Sequence, residues 1–262
     1  MAALKAKLAF EYEGRVARVT LAAPQANILD RAMIAALAGI FEELEGRGDL
    51  AAIVLSAEGP NFSFGASVEE HLPGQIGETL SALHALLRRL VELPAPTLAA
   101  VRGQCLGGGF ELALACDLIL AEETARLGSP EIKLGVFPPA AAALLPARIG
   151  ASRAAAMVLT GESWSGKTAA GAGLAARTAP EGELELQLAR WLESDFLPRS
   201  PAALRYAARA LRRPILRALT VDLPELERLY LEELMKEPDA AEGMRAFLEK
   251  RQPRWSQKGE AA

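Results

Sequence analysis

Two glutamates and two glycine-bearing loops are the parts of this sequence best suited to chemistry. The run Val101-Arg102-Gly103-Gln104-Cys105-Leu106-Gly107-Gly108-Gly109-Phe110-Glu111-Leu112 takes a buried strand through three consecutive glycines into a helix. Glycines destabilise regular elements, so three together need a reason. Bare backbone N–H groups at a helix N-terminus supply one, because the dipole there favours negative charge. Glu111 then lies in the first helical turn, beside whatever those amides hold. This is not the dinucleotide fingerprint: counted from Gly107, its last glycine would fall at Leu112. A second loop, Asn61 to His71, carries Gly65, which permits unusual backbone angles, and the small Ala66 and Ser67, which leave the next N–H groups unobstructed. Read alone, it is an ordinary strand-to-helix loop with Ser67 as N-cap. A third, Gly128 to Val136, places Glu131 after Pro130, which restricts the local backbone. Such a glutamate is by itself a solvated turn residue. Together the loops offer amides for a carbonyl oxygen that gains negative charge, where losing one donor typically costs roughly 2.7–4 kcal/mol. They also offer two carboxyls to hold a water and divide acid and base work.

The elements that must position these loops alternate between strand and helix. Val16–Leu21 reads as a strand ended by Pro24, and Ala52–Leu55 as a short buried strand ended by Gly59-Pro60. Thr97–Val101, Asp117–Ala121 and Ala125–Leu127 follow as further strands. Arg31–Leu44 carries Met33, Ile34, Leu37, Ile40, Phe41 and Leu44 at helical spacing, with Asp30 as its N-cap. Leu80–Leu93 is a leucine-rich helix stopped by Pro94 and Pro96. After about Asp195 only helices are expected, over 204–211, 224–234 and 242–250, separated by Pro214, Pro224 and Pro238. Helices this short cannot form a core alone and must pack on the main domain or on another subunit. The expected organisation is an α/β core over residues 1–197 and a C-terminal helical region over 198–262.

Composition narrows the function classes. Of 262 residues, 51% are hydrophobic and 24% charged, enough for a sizeable core. The net charge of −4 argues against nucleic acid as a partner, and 5% aromatics against a base-stacking surface. No membrane partner is expected, since the most apolar runs, 112–121 and 140–145, are interrupted by Asp117 and Pro146 well short of the roughly 18–20 residues a spanning helix needs. Lys5 and Lys7 have no sustained apolar stretch behind them, so no secretory signal is read and the expected location is the cytoplasm. Cys105 and Cys116 read as small core residues and His84 as structural; no metal site is expected. Gly161-Glu162-Ser163-Trp164-Ser165-Gly166-Lys167-Thr168 matches the phosphate-binding-loop pattern letter for letter. That loop needs a buried strand before it, whereas 152–159 reads as a helix, so nucleotide binding is a remote alternative.

With these residues in view, the chain resembles the crotonase, or enoyl-CoA hydratase/isomerase, superfamily over nearly its whole length. The resemblance rests on 24–30, Phe62-Ser63-Phe64-Gly65-Ala66-Ser67, 103–117, 128–138 and 159–174, above all on Gly107-Gly108-Gly109-Phe110-Glu111-Leu112-Ala113 with Cys116-Asp117. It implies the crotonase-like (ClpP/crotonase) α/β fold of spiralling ββα units, acyl-CoA thioester substrates, and a homotrimer or dimer of trimers built with the C-terminal helices. It implies that the N–H groups of Ala66 and Gly108 form an oxyanion hole, that Glu111 and Glu131 are the catalytic pair, and that Ala26, Ile28, Gly65, Ser67, Val68, Gly107 and Pro139 contact the substrate. No cofactor is implied beyond the CoA that carries the acyl group. Both glutamates being present weighs against a non-catalytic acyl-CoA binder. Many hydratases have Pro-Gly-Ala-Gly-Gly and then Thr-Gln-Arg where this chain has Pro138-Pro139-Ala140-Ala141-Ala142 and Ala143-Leu144-Leu145, and Asp where it has Ser67. These departures imply a bulkier, more apolar acyl pocket. Residues 64–73 and 139–141 look most like the cyclohexa-1,5-diene-1-carbonyl-CoA hydratases of anaerobic benzoyl-CoA degradation, in which His71 would face the acyl pocket. The alternatives are a general enoyl-CoA hydratase of fatty-acid β-oxidation and an enoyl-CoA isomerase.

Overall fold

A computed structural model describes residues 4–71 and 76–256. The side chain of His71, with its expected pocket role, lies outside the described residues. The main sheet has six strands in the order β1-β2-β3-β4-β6-β9: β1 (Ala6–Glu11), β2 (Val16–Leu21), β3 (Ala52–Ala57), β4 (Thr97–Val101), β6 (Leu118–Glu122) and β9 (Arg177–Ala179). Only the β1–β2 pair is antiparallel. β3 and β4 are buried almost throughout, as expected of parallel strands covered on both faces. A second sheet joins β5 (Gln104–Leu106), β7 (Arg126–Gly128) and β8 (Ser163–Ser165).

The small sheet brings the three glycine-bearing and glutamate-bearing loops together. β5 and β7 run parallel with Leu106 beside Gly128, so the Gly107 loop and the Glu131 turn leave the same sheet edge. An isolated bridge sets Ser63 beside Cys105, and the Leu106 N–H donates to Ser63 O at 2.9 Å. The Gly65 loop therefore lies along β5.

Helix α1 (Arg31–Leu44) forms as its periodicity predicts, with the Asp30 carboxylate accepting from the Met33 N–H at 2.7 Å. Helix α2 (Ile76–Glu92) begins four residues earlier than its leucine pattern suggests. α3 (Gly108–Ala115), α4 (Pro139–Ile149), α5 (Ala151–Thr160), α6 (Gly166–Gly171) and α7 (Leu184–Trp191) follow. The strand expected at Asp117 starts one residue later. Asp117 is engaged by the Thr97 N–H at 2.8 Å and by Arg212 at 2.6 Å, and so ties β4 to the helical region. The three-residue strands β5, β8 and β9 were too short to carry a periodic signal.

The helical region consists of α8 (Pro201–Leu211), a nearly continuous stretch from α9 (Arg213–Arg217) through α10 (Leu223–Arg228) to Lys236, and α11 (Pro238–Leu248). Pro214 and Pro224 do not separate helices as expected; both sit in first turns, where no N–H is required. A wide turn over Ala218–Asp222, closed by the Leu223 N–H on Ala218 O, relieves the ladder ahead of Pro224. This region folds back on its own core: a Cβ on Gly243 of α11 would collide with Leu134 O.

The phosphate-loop pattern adopts another structure. Helix α5 precedes it, Gly161 caps that helix at φ 64°, and Ser163–Ser165 is extended and paired with β7. Gly166 is needed because any Cβ there would strike Glu122 O. Titration with Mg·ATP in a calorimeter is expected to give no binding isotherm; saturable heat would overturn this reading of 161–168.

Candidate active site

The two loop amides lie side by side. An ideal Cβ on Gly108 would sit 3.4 Å from the Ala66 nitrogen, and one on Gly65 would sit 3.3 Å from the Gly108 nitrogen. Among the described residues neither the Ala66 nor the Gly108 N–H has a hydrogen-bond acceptor, although both belong to loops whose other backbone groups are paired. Gly107 holds φ 52° and ψ −129°, a conformation closed to other residues, and it turns the chain so that the Gly108 N–H starts α3. Two amides plus a helix N-terminus form a site for an oxygen that becomes negative.

The Gly65 loop is held from behind by two residues that sequence reasoning passed over. Asn27 is fully buried at φ 45°; its side chain donates to Glu58 O and Asn61 O and accepts from the Ala23 N–H. The Ser63 hydroxyl donates to Asn27 O at 2.7 Å and accepts from the Gly65 N–H at 3.0 Å. The available signal was the Asn that follows Pro24-Gln25-Ala26, because Asn tolerates positive φ better than most residues.

Glu111 and Glu131 reach the same cavity from different elements. Glu111, 3% exposed in the first turn of α3, accepts from the Ala141 N–H at 2.9 Å. Ala141 lies in the first turn of α4, so a second helix N-terminus holds this carboxylate. Burial pushes Glu111 upward; the positive form of His84 and the Ala141 and Ala140 amides oppose that shift. Glu131 lies in a short turn, Pro130–Leu134, capped by Gly135 at φ 75°. Its Oε1 lies 2.7 Å from where a Gly107 Cβ would be, and its Oε2 is buried without a partner. Desolvation, then the charge of Glu111, pushes Glu131 well above the ordinary carboxylate range. The two therefore titrate as a coupled pair, with one proton between them near neutrality.

The cavity they face holds about 400 Å³. Of the residues expected to contact substrate, Gly65, Val68, Gly107 and Pro139 line it together with Ala66, Gly108 and both glutamates. Ala26, Ile28 and Ser67 do not. Ala26 stands behind the loop and accepts from the Phe64 N–H, while the Ser67 hydroxyl turns to Glu69 at 3.0 Å. The rest of the wall is apolar and comes from elements far apart in sequence: Leu80 and Leu83 of α2, Phe137, Tyr230, and Met244 and Phe247 of α11. No local signal distinguished these from core residues. His84 is buried and paired through Nδ1 with Glu227 at 2.7 Å, consistent with a structural role. Cys105 and Cys116 are buried free thiols that desolvation pushes upward, Cys116 to about 12, which leaves both inert. Among the described residues no group of three His, Cys, Asp or Glu could hold a metal, and no helix is long and apolar enough to cross a membrane.

Known proteins share this arrangement. The model of the enoyl-CoA hydratase/isomerase family matches residues 11–258. The chain is 45% identical over 249 residues to the cyclohexa-1,5-dienecarbonyl-CoA hydratase of Thauera aromatica, covering 95% of this chain and 96% of that one. It is 37% identical over 242 residues to the 2,3-dehydroadipyl-CoA hydratase of Escherichia coli, covering 91% and 94%. A crystal structure of an enoyl-CoA hydratase from Mycobacterium avium subsp. paratuberculosis superimposes with a TM-score of 0.84 at 27% identity, covering 97% of this chain and 99% of that chain. In sequence, in fold and in its paired loop amides, the chain belongs to the enoyl-CoA hydratase/isomerase family, with the crotonase fold.

Proposed function

We propose that this protein is a hydro-lyase acting on a conjugated cyclic dienoyl-CoA, with cyclohexa-1,5-diene-1-carbonyl-CoA as its preferred substrate. The observation that carries the reading is a pair of buried carboxyls on one apolar cavity, next to two unpaired backbone amides. In this mechanism the Ala66 and Gly108 N–H groups receive the thioester oxygen. Water adds to the conjugated system as one carboxylate takes its proton, and negative charge moves onto that oxygen. The other carboxyl, still protonated, delivers a proton to the carbon chain. The thioester is the electron sink, so the reaction calls on no metal or redox cofactor, and CoA enters as part of the substrate. Phe137, Pro139 and Leu83 surround the acyl group with apolar surface, which suits a compact ring. The extensive likeness to the Thauera enzyme supports the same substrate class. The reading further places the protein in the cytoplasm as a homotrimer or dimer of trimers, with the exposed Tyr206 and Leu211 of α8 as apolar surface for such contacts.

A substrate screen tests it. Cyclic mono- and dienoyl-CoAs are compared with straight-chain enoyl-CoAs, following loss of the conjugated thioester absorbance. The expected result is the highest kcat/KM on the cyclic dienoyl ester. Faster turnover of a straight-chain ester would instead assign a general enoyl-CoA hydratase, and migration of the double bond without water addition an isomerase.

A further inference from the structure

The cavity contains a third polar side chain that the two-carboxyl mechanism leaves without a task. Tyr230 lies in the wide helical turn Leu229–Glu233 and is 2% exposed. Its ring packs edge-on against Phe137, with centroids 5.5 Å apart at 66°. Both rings line the cavity that holds Glu111 and Glu131. Among the described residues the Tyr230 hydroxyl has no hydrogen-bond partner. A buried polar group left unpaired costs roughly 1–3 kcal/mol, and phenylalanine would fill the same space without that cost. The hydroxyl therefore needs a partner that the polypeptide does not supply. Turns of this wide type also recur at functional positions in helices.

We propose that the Tyr230 hydroxyl is a positioning donor for the oxygen that is added to, or removed from, the acyl group. This rests on the hydratase reading above. A water between two carboxyls has two lone pairs: one forms the new carbon–oxygen bond, and the other accepts from Tyr230. One water proton leaves to a carboxylate, and the phenol keeps its own proton throughout. Burial, then the charges of Glu131 and Glu111, raises the phenol far above its ordinary value, so it stays a neutral donor at any working pH. The groups that face it are those two carboxyls and the ring of Phe137. In the product the same donor meets the new hydroxyl, so it favours an acyl group that carries oxygen at that point.

Tyr230→Phe removes the hydroxyl and keeps the ring. Its kcat for hydration is expected to fall by about ten- to a hundredfold with KM little changed, the range of one hydrogen bond to a partly charged group. Calorimetry supplies a second readout. The variant should bind the hydroxylated cyclohexene-carbonyl-CoA product at least fivefold more weakly, roughly one hydrogen bond, while binding cyclohexane-carbonyl-CoA, which has no hydroxyl, as the parent protein does. Equal loss for both esters would make the residue structural and overturn the proposal; so would a product affinity that matches the parent. If the parent protein itself fails to hydrate the cyclic dienoyl ester, the substrate reading falls, and the paired binding measurement still decides the role of Tyr230.

Discussion

Glu111→Gln and Glu131→Gln are each expected to lower hydration by about 10²–10⁴-fold, the range of positioned acid–base catalysis, while affinity for a saturated CoA ester stays close to that of the parent. Each substitution keeps shape and removes one ionisable group. In Glu111→Gln the side-chain carbonyl would still accept from the Ala141 N–H, so the loss is not one of folding. The pH profile makes the test specific. The parent pair passes one proton between two carboxyls, so its rate rises as the first proton is lost and falls as the second is lost. Desolvation and the charge of Glu111 raise the second loss, which puts the alkaline limb above the ordinary carboxylate range. In Glu131→Gln only one carboxyl remains, and that limb should vanish from whatever activity survives. Turnover near the parent level in either variant would remove the two-carboxyl mechanism.

Gly107→Ala is the second large effect. The site demands φ 52° with ψ −129°, which costs a non-glycine residue about 1–3 kcal/mol. The new methyl would also come within 2.7 Å of Glu131 Oε1. Relief requires the Gly108 N–H to rotate or Glu131 to withdraw, and either movement damages the reaction centre. Loss of one oxyanion donor alone is worth about 10²–10³ in kcat. The expected variant is folded, with a reduced melting temperature, and loses at least that much turnover. Gly39→Ala, on the exposed side of α1 with open space around its Cβ, is the matched control and should keep full activity. Full activity in Gly107→Ala would show that the close approach of Glu131 to this glycine is unimportant.

The two variants probe features that differ in how far they could be read from the chain alone. Gly107, Gly108 and Glu111 were legible because their signals are local: glycines where regular structure would resist them, followed by an acid in a first helical turn. Asp30 as an N-cap and the strands 16–21 and 97–101 were legible for the same reason. Glu131 was ambiguous. A glutamate after proline is usually solvated, and only the β5–β7 pairing, which sets Leu106 beside Gly128, turns it toward the glycines. The proline breaks at 214 and 224 misled, since a residue without an N–H ends a helix only where that N–H is needed.

By itself the sequence determined the element types, the glycine turn with its acid, and the family resemblance, because backbone conformation and capping depend on residues a few positions apart. Only the tertiary structure decided that Ala66 and Gly108 stand side by side, that Ala26, Ile28 and Ser67 stay out of the cavity, and that Tyr230 enters it. These depend on contacts between residues far apart along the chain, and burial gives a Tyr on a cavity wall and a Tyr in a core the same apolar neighbours in sequence.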